Sequence, residues 1–326
     1  MRIAALFSPN AGNNDKFHDI GNILTRIFKN HEVFTGKGNF GEHYLPKATT
    51  AKGSVPEDYR SSITYMVLSL LSNDPDMFIC VGGDGLAAYV ADALITNGSS
   101  MPIVGIAGGT ANVGPIIAIN PEELELFEPE NLIFSTIGAI HIKNGDRHIA
   151  YAFNDAVMGN TFLGTINGET TNISAKELLE NNKKTAVTPS SNITVDGFSI
   201  TNNGKGIKFS IKNPAQIIVS PLEVDRFYGR AITGALCYSA YSPHKAAMGL
   251  FEEVIVKMAD SSKYSEKFTK AEHLLFGPGD IVSITGLSED GQIIIDGNPY
   301  LREHETVTFE YKPNLVKVAK PPIRLI

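Results

Sequence analysis

Apolar positions in the first third of the chain alternate between short continuous runs and stretches with helical spacing. Arg2 to Phe7 reads as a buried strand, followed by a loop at Ser8 to Asn13, an amphipathic helix over roughly Phe17 to Phe28, and a second strand near Glu32 to Thr35. A further helix is expected within Pro56 to Asn73, where Ile63, Met66, Val67 and Leu70 share one face. Met77 to Val81 and Pro102 to Ile106 are apolar runs that suit strands buried on both faces, and between them Leu86, Val90, Ala93 and Leu94 recur at helical spacing. Each run ends in glycines, Gly82-Gly83-Asp84-Gly85 after the first and Gly108-Gly109-Thr110 after the second. Strand, turn, helix, strand, turn is a right-handed crossover with both turns at the carboxyl ends of neighbouring parallel strands, where open α/β sheets bind ligands.

Beyond Asn120 the pattern changes to short strands punctuated by Asn144-Gly145, Asp196-Gly197, Asn203-Gly204 and Asp290-Gly291, which predicts mainly antiparallel sheet. The clearest hairpin is AIHIKNGDRHIAYAFNDAV, with Asn144-Gly145 supplying the positive φ values of a primed turn. Thr170 to Ser191 is polar and suits a helix plus a loop. Pro243 to Met258 reads as helical, with Ser242 as cap and Pro243 in the first turn. The expected fold class is therefore α/β: an N-terminal Rossmann-like parallel-sheet domain over 1–119, to which a tail at 313–326 returns, followed by a β-rich domain over 120–312.

With 326 residues, 43% of them hydrophobic, the chain can bury the cores of two domains. The amino terminus turns polar after seven residues, too soon for the apolar region of a signal peptide, and the expected location is the cytoplasm. Two cysteines, Cys80 and Cys237, support neither a disulfide framework nor a cysteine metal site. A net charge of −7 without a basic stripe argues against a nucleic-acid partner but leaves a local ATP site open.

Glycine at 82, 83 and 85 permits a tight backbone whose N–H groups can face a phosphate. Asp84 is anomalous there. A carboxylate among phosphate-binding amides would repel the ligand unless it holds a metal ion or accepts a proton from an attacking hydroxyl; otherwise it is a turn residue. Thr110 and Asn112 offer a hydroxyl and an amide to phosphate or ribose, or else cap the segment Val113 to Ile117. Gly36, Gly38 and Gly41 spell the dinucleotide fingerprint GxGxxG, but Pro46 and Gly53 deny it the helix it needs. No Walker GK[ST] occurs, so a nucleotide would be held by backbone amides and scattered cations such as Lys37. His141, His148 and His244 lack metal-ligand spacing and read as surface or hydrogen-bonding residues.

GGDG followed some twenty-five residues later by GT-x-N resembles the NAD kinase and diacylglycerol kinase superfamily. LFSPNAG (Leu6 to Gly12) is similar to the family's opening strand and loop, FNDAVMG (Phe153 to Gly159) to the Asn-Glu/Asp motif of NAD kinases, and IIIDGNP (Ile293 to Pro299) to their late Asp-Gly strand. GKGNFGE and GGTANVGP look most like the branch holding archaeal NAD kinase-like sequences and the acetoin catabolism X proteins. The resemblance implies a phosphotransferase using ATP or polyphosphate with Mg²⁺, phosphorylating the 2′-hydroxyl of NAD to give NADP. It places Asn10, Gly12, Gly82, Gly83, Gly85, Gly109, Thr110 and Asn112 around the nucleotide, Asp84 as the catalytic acid, and Asn154 and Asp155 on the acceptor. It also implies a homodimer or higher homo-oligomer. Leu86 stands where the family commonly has Thr, and GTANVGP lacks the acid of the lipid kinases' GT-x-N-D, which disfavours a lipid acceptor. The alternatives are a diacylglycerol or sphingoid lipid kinase and a non-catalytic NAD- or ATP-binding protein.

Overall fold

The structure, a computed structural model, describes residues 1–9, 14–108, 114–167, 169–223, 244–258 and 268–320. The chain divides into two compact units, Met1–Ile137 with Asn314–Ile326, and Gly138–Pro313.

In the first unit the elements run β1 (Arg2–Phe7), α1 (Asn14–Ile27), β2 (Glu32–Thr35), β3 (Thr49–Thr50), α2 (Tyr59–Leu71), β4 (Met77–Gly82), α3 (Asp84–Thr96), β5 (Ile103–Ala107) and β6 (Ile117–Ile119). All these strands pair in parallel, β3 with β2, β2 with β1, β1 with β4, β4 with β5 and β5 with β6. Every residue of β4 and β5 is buried, as strands covered on both faces must be. The helices form where a cap meets an apolar face. Asp58 accepts the amide of Ser61 at 2.9 Å to start α2, whose Ile63, Met66, Val67 and Leu70 are all buried. From α1, Phe17, Ile20 and Leu24 enter a core with Phe7, Ile79, Val81, Val104 and Ile106.

The GxGxxG segment forms no helix; Gly38–Phe40 is a single 3₁₀ turn, and Gly41 at φ 145° lies so close to Thr35 that a Cβ would fall 1.9 Å from its hydroxyl. That turn cannot present a helix amino terminus to a pyrophosphate.

The second unit is β-rich. Its elements begin with β7 (Ile133–Asn144, which starts in the first unit), β8 (Arg147–Ala152), β9 (Ala156–Gly159), β10 (Thr161–Ile166), β11 (Glu169–Ser174) and α4 (Ala175–Asn181). They continue with β12 (Thr194–Asn202), β13 (Lys205–Gly206), β14 (Gln216–Pro221), β15 (Ala246–Phe251), β16 (Ala271–Phe276), β17 (Ile281–Leu287), β18 (Gln292–Ile295), β19 (Asn298–Tyr300) and β20 (Val307–Lys320). One antiparallel sheet runs β16-β15-β14-β9-β18-β19. Elsewhere in the unit β12 pairs with β13 and β17, β17 with the first part of β20, β7 with β8, and β10 with β11, all antiparallel. The last part of β20 belongs to the first unit, where Val318 pairs in parallel with Ile103.

Three sequence expectations change here. Residues 244–258 are not helical: Ala246–Phe251 is a fully buried strand between β14 and β16, and burial on both faces removes the alternation that would mark it as one, while Ser242 and Pro243 lie outside the described residues. Asp196-Gly197 is no turn but lies inside β12, where the pairing with β17 slips in register between Thr194 and Ser199. The β7–β8 turn is centred on Gly145-Asp146, since Asn144 pairs with Arg147 and only Gly145 has positive φ. Asn144 serves differently, with a fully buried side chain bonded to the backbone of residues 303–306. His244 sits at φ 57°, with its Nδ1 3.6 Å from Glu223 Oε1.

Candidate active site

At the carboxyl end of the first unit's sheet, the two glycine turns meet. The Gly108 amide donates to the Gly82 carbonyl at 2.8 Å, and the Ser8 amide donates to Val81 at 2.9 Å, so β1, β4 and β5 end together. None of Gly82, Gly83 and Gly108 is left-handed. Space dictates the glycine: a Cβ on Gly82 would lie 2.9 Å from Ser8 Cβ and 3.0 Å from Leu86 Cδ2, and one on Gly108 would lie 2.4 Å from the Phe17 ring.

Gly83 is the N-cap of α3 and has no side chain with which to cap it, so the first turn of the helix opens on the glycine loop. The amides and the positive end of the helix dipole there suit an anion. Asp84 is the first residue of α3, not a residue of a primed turn, and is half-buried. Its Oδ2 accepts the Gly114 amide at 3.0 Å, and a Cβ on Gly114 would fall 2.8 Å from Oδ1. A neighbouring backbone therefore fixes the carboxylate at the mouth of the turn. Leu86 is 3% exposed and packs toward Gly82.

Two further polar residues come to this edge. The Ser8 hydroxyl lies 3.4 Å from the Tyr59 hydroxyl, and burial pushes the Tyr59 phenol above its ordinary pKa. Tyr59 packs edge-on against Tyr89, its ring centre 5.8 Å away. Sequence reasoning gave Tyr59, Ser8 and Gly114 no role, because each reaches the glycine turn from a different element and nothing local marks the meeting. Asn10, Gly12, Gly109, Thr110 and Asn112 lie outside the described residues. Cys80 is fully buried in β4, which drives its thiol pKa upward and leaves it inert.

In the second unit, Phe153, Asn154 and Asp155 form the link between β8 and β9. Their backbone is tied to Asp296. One oxygen of that carboxylate accepts the Phe153 amide at 2.9 Å, the other accepts Asn154 at 2.8 Å and Asp155 at 2.9 Å, and the Asp296 amide donates back to the Asp155 carbonyl at 2.9 Å. Burial first, and the nearby Asp155 carboxylate second, push Asp296 up to about 7 despite these three donors. Asp296 also forms a turn: with Gly297 it takes φ values of 48° and 79° between β18 and β19. Elsewhere in this unit His141 Nε2 lies 3.0 Å from His148 Nδ1, and both rings pack on Tyr151. Among the described residues no group of three or more His, Cys, Asp or Glu could hold a metal ion, and no helix is long and apolar enough to cross a membrane.

Residues 5–122 match the family of the diacylglycerol kinase catalytic domain. An uncharacterized protein of Archaeoglobus fulgidus is 24% identical over 325 residues, covering 98% of both chains. Among solved structures, yeast NADH kinase complexed with NADH shares 12% identity at a TM-score of 0.54, covering 99% of this chain and 84% of that one. A diacylglycerol kinase from Bacillus anthracis shares 13% at 0.54, covering 98% and 97%, and an NAD kinase from Archaeoglobus fulgidus in complex with ATP shares 14% at 0.52, covering 99% and 94%. These likenesses establish a common fold, which comprises an α/β unit with a parallel sheet and a β-rich unit. Residues 5–122, which carry the glycine turns and Asp84, are thus similar to the diacylglycerol kinase catalytic domain, and the chain shares its fold with NAD kinases and diacylglycerol kinases.

Proposed function

We propose that this protein transfers a phosphoryl group from ATP or polyphosphate to the 2′-hydroxyl of NAD, giving NADP. The observation that carries this reading is Asp84, a carboxylate fixed by the Gly114 amide at the amino terminus of α3, beside two glycine turns bonded to each other. The donor phosphates lie on the first turn of α3 and on Gly82, Gly83 and Gly85, with Asn10, Gly12, Gly109, Thr110 and Asn112 completing their contacts with phosphate and ribose. Asp84 accepts the proton of the 2′-hydroxyl as its oxygen bonds to the terminal phosphorus, while the bond from that phosphorus to the leaving phosphate oxygen breaks. Asn154 and Asp155 hold the acceptor nucleoside. Mg²⁺ would accompany the donor's phosphates and neutralise their charge. Assembly as a homodimer or larger homo-oligomer belongs to the same reading.

The match to the diacylglycerol kinase catalytic domain supports a second reading, phosphorylation of a lipid hydroxyl by the same Asp84. One assay separates them: purified protein, Mg²⁺, ATP or polyphosphate, and either NAD or diacylglycerol and sphingoid bases. NADP formed without lipid phosphate is the expected result. Lipid phosphate without NADP selects the second reading, and NAD binding without turnover makes the protein a nucleotide sensor.

A further inference from the structure

We infer that Asp296 is a positioning residue for the acceptor nucleoside: its carboxylate sets the shape of the Phe153–Asp155 turn, and through that turn the affinity of the site. The inference rests on the proposed role of Asn154 and Asp155 in holding the acceptor. Three consecutive amides converge on one buried carboxylate, at 2.9, 2.8 and 2.9 Å, and the Asp296 amide returns a bond to the Asp155 carbonyl. A carboxylate is the side chain that can accept all three, because both oxygens are acceptors and neither carries a hydrogen. Phe153 and Asn154 are 2% and 7% exposed, so water cannot readily replace Asp296 as their partner.

The turn that carries Asp296 lets its side chain be changed without disturbing the β18–β19 hairpin. Ile295 pairs with Asn298, leaving Asp296 and Gly297 as the two loop residues, both at positive φ. Asn-Gly and Gly-Gly favour this type I′ geometry as well as Asp-Gly does. Asp296→Asn therefore keeps the hairpin and one carbonyl oxygen but turns an NH₂ toward an amide that needs an acceptor. Asp296→Gly keeps the hairpin and removes all three acceptors.

The test combines hydrogen exchange with kinetics on the full-length chain. In both variants the amides of residues 153–155 should exchange at least about tenfold faster, the loss expected for a hydrogen bond to a charged group, while strands β14 and β15 keep their protection. The KM for NAD should rise about tenfold or more with a much smaller fall in kcat. In the wild type, KM for NAD should fall as pH rises through about 7, because the ionised carboxylate is the acceptor the three amides need; burial, and after it the charged neighbour Asp155, holds its ionisation this high. Both variants should lose that dependence. Unchanged exchange at 153–155, or faster exchange with the KM for NAD and its pH profile intact, overturns the inference. A wild-type protein that makes no NADP overturns the reaction assigned above, and the exchange measurement then decides by itself whether Asp296 holds the turn.

Discussion

Gly114→Ala separates the placement of Asp84 from the integrity of the fold. The added Cβ would lie 2.8 Å from Asp84 Oδ1 and 3.0 Å from Cγ, roughly half an ångström closer than ordinary carbon–oxygen contact. Relief comes most cheaply from the end of the aspartate side chain, which swings away or gives up the 3.0 Å bond from the Gly114 amide. A misplacement of about 1 Å at a reacting group costs on the order of a hundredfold, so this one should lower kcat by roughly ten- to a hundredfold. The fold should survive, at a loss of no more than the bond itself, about 1.5–3 kcal/mol. The assay is kcat for NADP formation per folded molecule, beside a urea titration. A Gly114→Ala protein with wild-type kcat would refute the reasoning, since the carboxylate's position would then be immaterial.

Asn144→Ala should destabilise the second unit by about 2–3 kcal/mol in urea unfolding: the fully buried side chain serves two carbonyls, of His304 and Thr306, and two amides, of Glu303 and His304. A loss below about 0.5 kcal/mol would contradict this. The pH dependence of stability should carry two opposed contributions. Asp296, raised from 3.8 to about 7, keeps a proton in the folded state that the unfolded chain releases, so its contribution declines as pH rises from about 4 to 7, by at most roughly 4 kcal/mol. His141 runs the other way. Burial first, then His148, lower it from 6.5 to about 4, so the unfolded chain takes up the proton first and stability falls as pH falls from 6.5 toward 4. Asp296→Asn should therefore leave a melting temperature that rises with pH between 4 and 6.5, and one that still falls across that range would count against the assignment.

The crossover that carries the glycine turns was legible because its signals are local. The runs Met77 to Val81 and Pro102 to Ile106 became β4 and β5, displaced by at most a residue at each end, and the helical spacing of Leu86, Val90, Ala93 and Leu94 became α3. Ala246–Phe251 was misread for a physical reason: a central strand buried on both faces has no polar alternation, and Ala-Ala-Met-Gly-Leu-Phe carries good helix formers, so pairing with β14 and β16 overrides propensity. At the candidate site, the sequence singled out Asp84 for proposal but gave no sign of what holds it, because the Gly114 amide is thirty residues away. Asp296 shows the same limit. Asp-Gly is a common turn pair, while its anchoring of amides more than 140 residues earlier arises from the β9–β18 pairing and leaves no local mark.

The central claim is that Asp84 accepts the proton of the attacking hydroxyl in a phosphoryl transfer to NAD. Asp84→Asn keeps the shape and the bond from Gly114 but removes the charge. NADP formation by this variant, measured beside its binding of NAD and ATP and its urea midpoint, tests the claim most directly. A fall in kcat of about a hundredfold or more, with binding and folding retained, is the expected result. An Asp84→Asn protein that makes NADP at close to the wild-type rate would contradict it.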